Sequence, residues 1–287
     1  MKHVCRSFGS LIVATGLLHS VSAHAQVPTA FQLASQLDLE CRSAQGAPPT
    51  DEIGIRQLNP VLKGKLPNQI AKLGPLEEVC VPVAKNNNIP TQPARAIIRR
   101  TDLACYRAEA PPVDVGVFTT HLNPAFSDLP TEWVQMVQLR QVCVPVAKEG
   151  VAPEDPVLPF VRHMDFGCYS LAQPTLDANK KVRLSHLNPV LIQKGLPDHV
   201  VQVERARQLC VPIAKNQEPI PDQVLARVSR IDFLKYDLTP VVGPLAPWPI
   251  KLNHLNPLFV DHQPFDVTLF GPPRLLTPVA KNGAIPE

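Results

Sequence analysis

Residues 80–90 read CVPVAKNNNIP, and related stretches follow at three later places in the chain. They are CVPVAKEGVAP from Cys143, CVPIAKNQEPIP from Cys210 and LTPVAKNGAIP from Leu276. A segment that returns at a nearly constant spacing indicates copies of one structural unit. The fold is therefore predicted from this repeat.

Each copy contains the same motifs in the same order. The opening motif places Asp three residues before a cysteine position, as DLEC, DLAC, DFGC and DFLK, beginning at Asp38, Asp102, Asp165 and Asp232. The second motif is QLNP or HLNP, beginning at Gln57, His121, His186 and His254. The closing motif ends on a lysine: Lys85, Lys148, Lys215 and Lys281. These motifs divide the mature chain into repeat 1 (26–92), repeat 2 (93–155), repeat 3 (156–223) and repeat 4 (224–287).

The pattern inside each repeat predicts short strands. The chain has 33 prolines, and a proline inside a helix costs about 3 kcal/mol, so long helices are not expected. Apolar residues alternate in runs such as 113–117 and 182–184, as they do in half-buried strands. The run TEWVQMVQLRQV after Leu129-Pro130 also fits a short helix. We predict an all-β protein of four tandem small antiparallel β domains, sandwich or barrel-like and disulfide-stapled, each with four or five short strands.

The first residues have the features of a signal peptide. Lys2 and Arg6 give a positive start, residues 8–18 are apolar, and Ala23 and Ala25 are small residues where a signal peptidase would cut. Residues 1–25 are therefore predicted to be a signal peptide. No stretch reaches the roughly 20 apolar residues that a membrane-spanning helix needs. We expect a secreted protein, extracellular or periplasmic, without a membrane span.

The cysteines predict three disulfides. Six of the seven follow the predicted signal peptide, and an even number in an exported protein indicates a disulfide framework. Repeat 4 has Lys235 and Leu276 at the two cysteine positions, so it lacks both cysteines together. Pairing between neighbouring repeats would leave Cys41 and Cys210 unpaired, whereas pairing within repeats leaves none. The predicted disulfides are Cys41–Cys80, Cys105–Cys143 and Cys168–Cys210.

The motif order resembles that of an uncharacterised repeat domain of exported bacterial proteins, a domain of unknown function. The shared pattern is an opening DxxCY, an LNP motif and a closing LCxPxxK, and it covers essentially the whole mature chain. CVPVAKN is its most specific element, followed by the opening at Tyr106 and Tyr169. Repeat 1 departs with Arg42 in place of the tyrosine, and repeat 4 lacks the cysteines. The resemblance implies an all-β, disulfide-bonded character and supplies no activity.

Three kinds of polar residue recur in frame and are candidates for a ligand contact. They are the four opening aspartates, the four closing lysines, and the histidines His121, His186 and His254, with Gln57 in repeat 1. Disulfides within repeats would bring Asp and Lys close together, as a structural ion pair or as a repeated ligand contact. No second histidine or carboxylate recurs near the histidines. This favours a turn histidine that bonds to backbone beside Asn-Pro.

Charge and motifs narrow the classes of function. Removing Lys2 and Arg6 from the 28 basic residues leaves 26 against 25 acidic ones, so a nucleic-acid partner is not expected. No catalytic, cofactor-binding or metal-ligand motif is recognised. Repetition suits a binding module, and we expect a non-catalytic protein of binding or adhesion type that contacts another protein or a surface polymer. A passive structural component of the envelope or extracellular matrix and a hydrolase with a site between repeats are the alternatives.

Overall fold

The structure is a computed structural model, and it describes residues 27–46, 52–243, 245–256, 258–259 and 262–287. The predicted signal peptide lies outside these residues. The predicted all-β, disulfide-bonded fold class is confirmed by twelve antiparallel strands in one sheet and by three disulfides. No helix in the described part of the chain combines the length and the apolar character needed to cross a membrane.

Each repeat contributes an opening, a middle and a long strand, instead of the four or five strands expected. The opening strands are β1 (Asp38–Gly46), β4 (Leu103–Glu109), β7 (Asp165–Leu171) and β10 (Phe233–Pro240). The middle strands are β2 (Glu52–Gln57), β5 (Val115–His121), β8 (Lys180–His186) and β11 (Trp248–His254). The long strands are β3 (Gln69–Lys85), β6 (Glu132–Lys148), β9 (His199–Lys215) and β12 (Phe265–Lys281). The run after each Leu-Pro and the closing motif thus form one strand, and TEWVQMVQLRQV is not helical.

The described helices are short. One helix precedes each opening strand: α1 (Ala30–Gln36), α2 (Ala94–Ile98), α3 (Leu158–Val161) and α5 (Asp222–Val228). In repeats 1 to 3 the LNP motif begins a single helical turn: the 3-10 helices Pro60–Leu62 and Pro124–Phe126, and α4 (Pro189–Gln193). Proline suits the first position of a helix because its missing N–H would have no partner there. The asparagine before each of these prolines caps the turn with its side-chain oxygen.

Eight of the strands form a closed ring that crosses every repeat boundary. Each opening strand pairs with the long strand of its own repeat and with the long strand of the preceding repeat. The ring closes because β1 of repeat 1 pairs with β12 of repeat 4. The four tandem units are therefore joined to one another by backbone hydrogen bonds, and no opening strand is left as an edge.

The middle strands connect opposite repeats. Each pairs with its own long strand and also with the end of the long strand two repeats away: β2 with β9, β8 with β3, β5 with β12 and β11 with β6. Repeats 1 and 3 thus exchange strand ends with each other, and so do repeats 2 and 4. Residues distant in sequence are brought together at these crossings.

The two faces of the ring strands pack into two apolar clusters. One cluster contains all six disulfide cysteines together with helix residues such as Leu33, Ile97 and Phe160. The other contains apolar residues of the middle strands together with Tyr106, Tyr169 and Tyr236. Side chains on successive positions of a strand point to opposite faces, so the tyrosine and the cysteine beside it belong to different clusters.

Candidate functional site between repeats 1 and 3

The recurrent aspartates and lysines form four buried ion pairs. Lys85 Nζ lies 2.6 Å from Asp38 Oδ1, and both side chains are almost completely buried. The same pair is made in the other repeats: Asp102 with Lys148, Asp165 with Lys215 and Asp232 with Lys281. The structure therefore brings together the Asp and Lys of each repeat, as the sequence predicted, in positions that solvent does not reach.

Burial shifts the pKa of Asp165 and that of Lys85 in the direction that favours the neutral form of each group. Desolvation raises the pKa of Asp165 to about 6 even though Lys215 lies beside it. Desolvation likewise lowers the pKa of Lys85 to about 8, with Asp38 acting against it. An unpaired charge at such a site would be strongly destabilising, because low-dielectric surroundings penalise charge that nothing compensates. Removing either the Asp or the Lys of a pair should therefore destabilise the fold.

Each ion pair is completed by the LNP asparagine of the following repeat. Asn123 Nδ2 of repeat 2 donates to Asp38 of repeat 1 over 2.6 Å, and its Oδ1 accepts from the backbone N–H of Ala125. The equivalent bonds run from Asn188 to Asp102, from Asn256 to Asp165 and from Asn59 to Asp232. The last of these joins repeat 1 to repeat 4. The sequence showed these asparagines recurring, but nothing in it indicated their partners.

The recurrent histidines bond to tyrosines of the opposite repeat, and the predicted bond to backbone beside Asn-Pro is wrong for them. His121 Nε2 lies 3.0 Å from the hydroxyl of Tyr236, and His254 Nε2 lies 3.0 Å from that of Tyr106. Burial lowers the pKa of each of these two histidines to about 4. They are therefore neutral near pH 7 and belong to the core between repeats 2 and 4.

Repeats 1 and 3 also meet at two crossings, and the polar residues there differ from those between repeats 2 and 4. At the first crossing the Tyr169 hydroxyl donates to Gln69 Oε1 over 2.8 Å, while Gln57 stands at the histidine position. At the second crossing Arg42 stands at the tyrosine position, and His186 of repeat 3 lines the same cavity. Arg42 Nη2 donates to the carbonyls of Leu245 and Ala246 in repeat 4. We call this last one the fourth crossing. It has Arg42 where each of the other three has a tyrosine hydroxyl.

The fourth crossing contains a buried carboxylate and two histidines. Glu40 on β1 is 1% exposed, and its Oε1 lies 3.2 Å from Nε2 of His199 at the start of β9. His186, at the end of β8, completes a group whose ligand-type atoms all lie within 4.8 Å of one another. These residues line a cavity of about 90 Å³ with Arg42 and Trp248. We call Glu40, His186 and His199 the Glu–His–His cluster.

Charges inside the cluster perturb one another. Burial alone would raise the pKa of Glu40, but His199, His186 and Arg42 together lower it. Burial works against protonation of His199, yet the adjacent Glu40 raises its pKa. Burial lowers the pKa of His186. The sequence prediction included His186 but missed Glu40 and His199, because neither residue type recurs in frame; the one available signal was Arg42, where repeat 1 departs from the tyrosine.

Lys235 occupies a cysteine position of repeat 4 and has become part of another polar group. Its Nζ donates to Glu78 and, over 2.7 Å, to Gln141 Oε1. Arg274 forms a second ion pair with Glu78. Glu78 and Gln141 come from the long strands of repeats 1 and 2, and Arg274 comes from the long strand of repeat 4. The loss of the fourth disulfide is therefore accompanied by a buried charge network in the same ring.

The three disulfides connect the predicted cysteines. Cys41 pairs with Cys80, Cys105 with Cys143 and Cys168 with Cys210. In each case the two cysteines are direct partners in the register of the opening and long strands. Lys235 and Leu276 are likewise direct partners, so repeat 4 keeps the strand pairing without the covalent bond.

Comparisons with protein-family models, with curated proteins and with solved structures give no match to this chain.

Proposed function

We propose that this chain is an exported, non-catalytic binding protein that presents a rigid surface to another protein or to a surface polymer. The recurrent Asp, Lys and Asn side chains contact one another in the interior, so they serve the fold and leave binding to surface residues. A ring closed by backbone pairing and three disulfides loses little conformational freedom when it binds, and this favours affinity.

One exposed aromatic pair carries the proposal. Trp133 and Phe118 lie on neighbouring strands of repeat 2, 58% and 51% exposed, with ring centroids 5.0 Å apart. The indole lies across Gly116, where a Cβ atom would meet the ring at 1.9 Å. Tryptophan is enriched at the energetic centres of interfaces because it combines a large apolar area with few rotatable bonds.

The aromatic pair is confined to repeat 2. At the frame position of Trp133 the other repeats have Ile70, Val200 and Asp266, and at that of Phe118 they have Gly54, Arg183 and Lys251. A structural requirement of the repeat would recur in all four copies. The backbone N–H of Leu176, a residue that is 67% exposed, donates to the side-chain carboxylate of Glu132, the residue before Trp133.

The test is retention of a partner by immobilised mature protein from envelope and culture fractions. We expect a partner that wild type retains, that Phe118→Ala/Trp133→Ala loses, and that the matched control Val200→Ala retains. All three proteins should have the same circular dichroism. Retention of no partner by wild type at micromolar concentration would favour the passive structural alternative, and equal retention by the aromatic variant would place binding elsewhere.

A further inference from the structure

We propose that Glu40, His186 and His199 bind one divalent transition-metal ion of the zinc class between repeats 1 and 3. Two imidazoles and one carboxylate form a donor set that suits zinc, with one coordination position left for water or another small ligand. Neither Trp133 nor Phe118 belongs to this site, which uses other residues.

The spacing of the donors fits coordination to a single ion. Bonds of about 2.0–2.1 Å to zinc in a tetrahedron place two ligand atoms about 3.3 Å apart. Glu40 Oε1 and His199 Nε2 are 3.2 Å apart, and an atom of His186 lies within 4.8 Å of both.

Within the part of the chain that the structure describes, the donor atoms have no other hydrogen-bond partners. Both carboxylate oxygens of Glu40, Nε2 of His199 and Nδ1 of His186 are buried there without a hydrogen bond to any described residue. The close approach of Glu40 to His199 thus has the distance of an ion pair but lacks the geometry of a hydrogen bond. A buried carboxylate whose oxygens accept no hydrogen bond is costly, and a cation held between the three side chains would bind those oxygens directly.

The other three crossings provide an internal comparison. At the position of Glu40 the other repeats have Ala104, Gly167 and Leu234, and at that of His199 they have Gln69, Glu132 and Phe265. Their crossings are completed by tyrosine hydroxyls. The fold therefore does not require a carboxylate or a second histidine at a crossing. Repeats 1 and 3 have a carboxylate, Glu40, and a second histidine, His199, at the same crossing.

The surroundings leave space for an ion and its water. The cavity of about 90 Å³ is lined by Leu196, Pro197 and Trp248 as well as by the cluster. The guanidinium of Arg42 is the nearby positive charge, and it is held by the carbonyls of Leu245 and Ala246. Those two bonds orient its Nη2 toward the backbone of repeat 4.

The experiment is calorimetric titration of oxidised, EDTA-dialysed mature protein with ZnCl2, accompanied by visible spectra with Co²⁺. We expect one ion per chain and the intense visible bands of four-coordinate Co²⁺. His186→Gln and His199→Gln copy residues that repeat 1 has at the same frame positions. Each should weaken binding by at least about 100-fold, and so should Glu40→Gln.

His121→Gln is the matched control, because it makes the substitution of His186→Gln at an equivalent crossing that lacks the carboxylate. It should bind Zn²⁺ as wild type does. The proposal is overturned if wild type binds no ion at 100-fold molar excess, or if ligand variants and control bind equally. Should Glu40→Gln fail to fold, as judged by circular dichroism, Glu40→Ala copies repeat 2 and His199→Gln remains decisive.

Discussion

The side-chain amide of Asn123 donates to the carboxylate of Asp38, 2.6 Å away in the preceding repeat. The same bond is made four times around the ring, each time from one repeat to the one before it. The bond completes a buried Asp–Lys pair. The side-chain oxygen of the same asparagine caps the turn that follows it. Neighbouring repeats are therefore held together by the residues that define the repeat.

Replacing Asn123 with alanine should destabilise the fold by about 2–3 kcal/mol, because an oxygen of a buried carboxylate loses its donor and a helical turn loses its cap. Urea unfolding of the oxidised protein measures this. Asn68→Ala, at an exposed asparagine, should change the free energy of unfolding by no more than about 0.5 kcal/mol. An equally small effect at Asn123 would mean that the bond between repeats contributes little.

Replacing Lys148 with methionine should cost about 3–5 kcal/mol, because Asp102 would remain as a buried charge without its cation. The matched control is Lys180→Met, which breaks the ion pair with the exposed Asp128 and should cost at most about 1 kcal/mol. The penalty at Lys148 should shrink in acid, where Asp102 takes up a proton. Equal penalties for the two variants would contradict the assigned role of burial.

His121 and His254 should lower the stability of the fold as the pH decreases from about 6.5 to 4. Burial lowers the pKa of His121 and of His254 to about 4 in the folded state, while an unfolded histidine titrates near 6.5. Between these values the unfolded chain binds more protons, so acid favours unfolding, and above about 6.5 the histidines cause no change. Each histidine should lower the free energy of unfolding by up to about 3 kcal/mol between these pH values.

The four paired aspartates act in the opposite direction over part of this range, because burial raises their pKa values, to about 6 for Asp165, and the folded form then holds a proton more readily than the unfolded chain does. Comparing wild type with His121→Gln shows how much of the acid-induced loss of stability is caused by His121. Thermal unfolding between pH 4 and 7 should show a smaller acid-induced decrease for the variant. Parallel curves for the two proteins would contradict the prediction.

Removing one disulfide should weaken the whole ring. Cys105→Ala/Cys143→Ala opens a loop with a sequence separation of 38, and the chain-entropy model gives a loss of about 4 kcal/mol. Because β4 pairs with both β3 and β6, we expect a single unfolding transition. Hydrogen exchange should show protected amides of all four repeats exchanging together. Early exchange confined to repeat 2 would indicate that the repeats unfold separately.

Much of the fold followed from the sequence because its signals are local. Alternating apolar residues predicted strands, and the joint loss of two cysteines in repeat 4 predicted how the other six pair. The cysteine bonds then implied that Asp38 and Lys85 lie close together, and they do. Each of these inferences depends on spacing inside one repeat, where the chain connects the residues over a short distance.

The sequence by itself thus determined the fold class, the disulfides and the ion pairs within repeats. Only the tertiary structure decided that the ring closes, that Asn59 reaches Asp232, and that middle strands cross to the opposite repeat. Repeating motifs specify what each unit contains but not which other unit it pairs with, because any long strand offers the same backbone hydrogen bonds. For that reason the meeting of Glu40 with His199 is visible only in the folded chain.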